Sequence, residues 1–84
     1  MMDAYSYQPC PSIDSIKKDF LEIMTKKYKD KDTEFLETIV NDCVDKFNQK
    51  KNLSNYSYSG YIMFMHKDLM KNIDESILLT IEDI

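Results

Sequence analysis

Tryptophan and arginine are missing from this 84-residue chain, and it has only one glycine, one histidine, two prolines and two cysteines. Each scarcity removes a class of protein. Two cysteines cannot staple a disulfide-dense scaffold, and so little glycine and proline excludes collagen-like or linker-like material. Arginine is the side chain that clamps phosphates and reads guanine edges with paired hydrogen bonds, so its absence weighs against nucleic-acid recognition. A net charge of −4 repels a phosphate backbone as well. The expectation is no direct nucleic acid as partner. Lysines alternate with carboxylates along the chain, which leaves no single-sign field for a DNA mimic.

Long apolar runs are also missing. The longest, Tyr61 to Met65, is five residues, against the ~20 that span a bilayer, and no membrane association is expected. Met1-Met2-Asp3-Ala4-Tyr5 has neither the basic nor the apolar stretch of a secretory leader. With two cysteines that a reducing compartment would keep as thiols, the expected location is cytoplasmic.

Chemistry is scarce too. His66 has no nucleophile or orienting partner at a recognisable spacing and reads as a surface histidine. Cys10, Cys43 and His66 lie far apart without the paired spacing of a zinc site. Lys29-Asp30-Lys31-Asp32 lacks the central glycine and terminal glutamate of a calcium loop. Gly60 stands alone, so no phosphate-cradling loop exists, and Asp74-Glu75 sits in a polar stretch with nothing to desolvate it. The chain therefore reads as non-enzymatic, with no catalytic, metal-binding or cofactor-binding residues and no cofactor.

What is present is one small domain over residues 1–84. Residues 1–12 form a loose arm, because Pro9 and Pro11 forbid a helix, with Tyr5 and Tyr7 placed to tack it onto the body. Residues 13–50 predict a helical hairpin. Ser12 caps its first helix, whose apolar stripe is Ile13, Ile16, Phe20, Ile23, Met24 and Tyr28. Asp32 or Thr33 opens the second, with the stripe Phe35, Leu36, Ile39, Val40, Cys43, Val44 and Phe47; Cys43 is a small apolar filler there. The few residues between the helices suit an antiparallel pair.

Residues 56–84 predict β structure. The segment Tyr56 to Met65 alternates at first and is aromatic throughout. On a strand, Tyr56, Tyr58, Ile62 and Phe64 share the face towards the helices, while Tyr61, Met63 and Met65 share the opposite face. Gly60 then marks a bulge or a close backbone approach. Ile77, Leu79 and Ile81 alternate again after a turn over Asn72 to Ser76, and Glu82 and Asp83 sit badly at a helix carboxyl end. A helix also fits from Gly60 onwards, through Ile62, Met65, Leu69 and Ile73, and then Ile77, Leu78, Ile81 and Ile84. The fold class is α+β, an antiparallel helical hairpin packed on a short antiparallel β-sheet, with an all-α small helical bundle as the alternative.

Tyrosine and methionine make adaptable contact surface at low entropic cost, and two helices cannot cover both faces of a sheet. The candidate partner-binding residues are Tyr56, Tyr58, Tyr61, Met63, Met65 and Met70. Over residues 13–66, the order of helix, helix and aromatic strand Tyr58-x-x-Tyr61-Ile62-Met63 resembles the front of Tctex-type dynein light chains. That resemblance implies helices packed on an antiparallel sheet, homodimers formed by strand exchange, and peptide binding at the sheet edge. The expected function is a small acidic protein–protein interaction module, an adaptor or complex subunit with a protein partner and a possible homodimer. The alternative is a phage- or virus-encoded inhibitor that covers a host protein.

Overall fold

The computed structural model describes residues 8–83. Tyr5, Tyr7 and Ile84, which figure in the sequence expectations, lie outside the described residues. The chain folds as three helices around one core. Helix α1 spans Ile13–Lys27, and the Ser12 hydroxyl accepts the Ser15 amide at 3.1 Å, as a cap should. Asp14 in the first turn and Lys26 and Lys27 in the last complement the helix dipole. Helix α2 spans Thr33–Lys51 and ends at Asn52 in the left-handed conformation, φ 52°. Asparagine tolerates that conformation because its short side chain bonds locally, and here it accepts the Ser54 hydroxyl at 2.9 Å. The Asn48 side chain accepts the Leu53 amide at 2.8 Å, which holds the short 3₁₀ turn Leu53–Asn55 beneath the bundle end.

Helix α3 covers residues 58–83, beginning with the turn Tyr58–Gly60, widening into a π-helical turn over Tyr61–Met65 and continuing as α-helix over His66–Asp83. Ser57 caps it, accepting the Gly60 amide at 3.1 Å. The His66 amide donates five residues back to the Tyr61 carbonyl. The π turn has a packing reason. Tyr61, Met65, Leu69, Ile73 and Ile77 are all buried, a strict spacing of four, and on an α-helix each such step drifts ~40° around the axis. A wider turn at the start cancels part of that drift and keeps Tyr61 and Met65 on the core side.

The helices run up, down, up. The His66 ring stacks 4.8 Å from Phe20, and Asp74 receives Lys27 and Tyr28. The two contact points are seven to eight residues apart along α1 and its cap, counted from Phe20, and eight apart on α3, so the two helices are parallel and in register. Ile16, Phe20 and Met24 from α1 and Leu36, Val40, Val44 and Phe47 from α2 fill the same core as the α3 stripe and Leu53.

The α+β expectation is overturned. Residues 58–83 are helical, so neither the strand over Tyr56 to Met65, nor the turn over Asn72 to Ser76, nor the strand over Ile77 to Ile81 exists. Among the described residues the only β-type pairing is an isolated antiparallel bridge between Pro9 and Ser57. The sheet implied by the light-chain resemblance is therefore not formed there, and the architecture is the all-helical bundle. Magnitudes explain the outcome. Acidic residues at a helix carboxyl end cost roughly 0.3–1 kcal/mol, whereas burying Ile73 or Ile77 gains about 1.5–3 kcal/mol each. The Tyr-Ser-Tyr-Ser alternation does not extend past Gly60; Ser57 ends it by capping the helix. Gly60 is neither bulge nor close approach, since its φ is −63° and an added Cβ would come no nearer than 3.4 Å to a neighbour.

Among the described residues of the arm, 8–12, Pro9 and Pro11 stand outside any helix, and this part is docked. The Tyr58 amide donates to the Gln8 carbonyl at 2.7 Å, and the Cys10 amide to the Tyr56 carbonyl at 3.2 Å.

Candidate functional site

Burying one stripe of α3 turns its other side outward. Met63 is 69% and Phe64 61% exposed, and Ile62 and Tyr58 beside them are also open to solvent. These four side chains form an apolar crest at the amino-terminal end of α3. Leu78 and Leu79 are exposed near its other end, ~24 Å along the axis. Scattered exposed apolar residues are ordinary, but a contiguous group of large ones on a small chain marks an interaction site.

The structure divides the sequence-predicted partner residues. Met63 and Tyr58 lie in the crest. Tyr61 at 3% and Met65 at 8% exposure are core residues, and Tyr56 and Met70 are half-buried against the core. The expected sheet faces are thus inverted for the aromatic segment: Ile62 and Phe64, assigned to the core, face solvent, and Tyr61 and Met65, assigned to a partner, face inward. Leu78 and Leu79 were not among the predicted site residues. The signal is the helical period, which places Met63 and Leu79, each two beyond a core position, on the outward side.

Polar groups near α3 are structural in arrangement. Asp74 accepts Lys27 Nζ at 2.8 Å through one oxygen and the Tyr28 phenol at 2.9 Å through the other. Burial and the Asp74 hydrogen bond push the Tyr28 phenol above its ordinary value, and the same carboxylate raises the Lys27 ammonium. Both groups keep their protons, and the clamp ties the end of α1 to the middle of α3. His66 is half-buried between the Phe20 ring and the edge of Tyr61, 5.9 Å away, rather than on the surface.

Between α2 and α3 lies an open groove of about 640 Å³, walled by Asp42, Cys43, Lys46, Phe47, Ser76 and Leu79. The Cys43 thiol donates to the Ser76 hydroxyl at 3.3 Å. Burial pushes this thiol up, and Cys10 likewise. Among the described residues, no three His, Cys, Asp or Glu side chains converge as metal ligands, and no helix is long and apolar enough to cross a membrane. Comparison with protein-family models, curated proteins and solved structures finds no match.

Proposed function

We propose that this chain is a non-catalytic protein-interaction module, an adaptor or complex subunit, that binds a protein partner through the crest at the start of α3. The observation that carries this reading is the contrast in exposure: every large exposed apolar side chain among the described residues belongs to α3, and the crest groups four of them. Burying Met63 and Phe64 against a partner gains about 1.5–3 kcal/mol each, and their exposure in the free chain is otherwise a solubility cost. A cytoplasmic setting fits the same reading, because both cysteines serve here as packed thiols.

The test is a double variant, Met63→Ser with Phe64→Ser, compared with the wild-type chain in extracts of its native host. The variant is expected to keep its helical circular-dichroism signal and melting temperature while losing the proteins that co-purify with the wild type. An unchanged set of co-purifying proteins overturns the reading.

A further inference from the structure

The docked arm meets the start of α3 in a defined direction. Gln8, Pro9 and Cys10 run antiparallel to Tyr56, Ser57 and Tyr58, with the Tyr58 amide donating to Gln8 and the Cys10 amide to Tyr56. Pro9 has no amide to give, and this register asks it for none. Followed backwards from Cys10 to Gln8, the arm travels the same way as the chain from Tyr56 to Tyr58, towards α3. Pro9 and Ser57 are directly opposed, so their side chains share one face of the pair. The Ser57 hydroxyl marks that face, because it reaches the Gly60 amide at 3.1 Å. It is the face towards α3.

Side chains of an extended chain alternate, so Asp3, Tyr5 and Tyr7 fall on the side of Pro9 when the same course is continued. The lengths match as well. Three extended residues carry the chain ~10 Å from Gln8 to Tyr5, and the five residues from Tyr58 to Met63 rise ~7.5 Å along α3. Asp3 lies ~16 Å from Gln8 on that course, against ~14 Å from Tyr58 to Lys67. Lys67 is exposed and joins no ion pair with another described residue. Two phenol rings thus arrive level with exposed Ile62 and Met63, and a carboxylate arrives level with a lysine. We infer that residues 3–7 lie along the start of α3 as a strap, with Tyr5 and Tyr7 over Ile62 and Met63. Two rings on two side chains offset little more than the entropy of holding the segment, so the strap is displaceable. A partner that binds this surface must displace it, a step that rests on the binding reading above.

Hydrogen peroxide oxidation of the purified full chain tests it, with the sulfoxide at each methionine counted by mass spectrometry, because oxidation of a thioether follows its exposure. Met63 is expected to oxidise several-fold more slowly in the wild type than in Y5S/Y7S. Buried Met65 should stay slow in both, which reports that the variant is folded. Y5F/Y7F keeps both rings and should keep the wild-type rate. In the wild type itself, nuclear Overhauser contacts from the Met63 methyl to the Tyr5 or Tyr7 ring are expected, a reading that needs no variant. An equal Met63 rate in the wild type and Y5S/Y7S overturns the inference. So does a rate that slows with protein concentration in both chains alike, which would give the face to a second copy. In host extracts, Y5S/Y7S should retain more of the proteins that M63S/F64S loses; retaining less would make the tyrosines part of the contact and overturn the displacement. Met63 protection is read with no partner present, so its failure is distinct from failure of the binding reading.

Discussion

Helices α2 and α3 face the same core and differ on their other side. The exposed residues of α2 are polar or charged, among them Glu34, Glu37, Asp42, Asp45, Lys46 and Lys50. Its Asp42 and Lys46 pair at 3.1 Å one turn apart, and Asp45 takes Lys17 from α1 at 2.9 Å. Helix α3 leaves Met63, Phe64, Leu78 and Leu79 bare instead. Folding needs one apolar face per helix, and α3 meets that need with Tyr61, Met65, Leu69, Ile73 and Ile77. Its outer apolar residues are surplus to the fold, so the stabilising face and the proposed contact residues lie on different sides of one helix.

The sharpest way to break this division is to make one chemical change on each side. Met65→Ala removes a buried side chain and should cost about 2–5 kcal/mol, enough to unfold much of a population whose total stability is of that order. Met63→Ala, two residues away, should change stability by about 0.5 kcal/mol or less. Urea unfolding followed by circular dichroism separates the two. Equal losses would mean that Met63 is also core, and the crest would lose its role.

The hairpin was legible because its signals agree. Ser12 caps where expected, and Ile16, Phe20, Met24, Leu36, Val40, Val44 and Phe47 form the stripes that the periodicity predicts. The third helix was harder for a geometric reason. A spacing of four is a multiple of two, so Tyr61 and Met65 share a face whether the backbone is strand or helix. The strand reading put them together but turned them outward. What distinguishes the two is the continuation: Leu69, Ile73 and Ile77 extend the buried row, and Lys67, Lys71 and Glu75 occupy the positions between. The crest followed the same error, since Ile62 and Phe64 were assigned inward with Tyr56 and Tyr58. The clamp on Asp74 is a long-range contact that only the bundle assembles, and no local pattern announces it.

Alkaline pH sharpens the comparison between the inner face of α3 and the hairpin. Burial pushes the Tyr61 phenol far above its ordinary 10.0, and Tyr28, Cys10 and Cys43 are raised in the same direction. A raised value in the folded chain means that folding favours the protonated group. The stability is then fully present below the unfolded values, 9.0 for the thiols and 10.0 for the phenols, and is lost as pH rises through the folded ones. Lys27, raised by Asp74, acts in the same sense. The melting temperature should be level from neutral pH to about 9 and fall beyond it. Tyr61→Phe should flatten that fall more than Tyr28→Phe. The reverse order would place the alkaline weak point at the clamp between α1 and α3 instead of under the π turn.

The smallest expected effect bears on where α3 begins. Gly60 has helical torsions, φ −63° and ψ −41°, in the first turn after the Ser57 cap. A Cβ there would sit 3.4 Å from the Ser57 hydroxyl oxygen and 3.7 Å from the Tyr56 ring, both ordinary contacts. Glycine in a helix costs about 0.5–1 kcal/mol relative to alanine, because the unfolded chain loses more freedom on folding. Gly60→Ala should therefore raise the melting temperature by a few degrees, read by thermal unfolding, without altering the exposure of Met63 and Phe64 one turn away. Were the segment extended with Gly60 at a bulge, the same substitution would lower it. The sign of this one change thus decides whether Met63 and Phe64 stand outward on a helix that the core side of α3 holds in place.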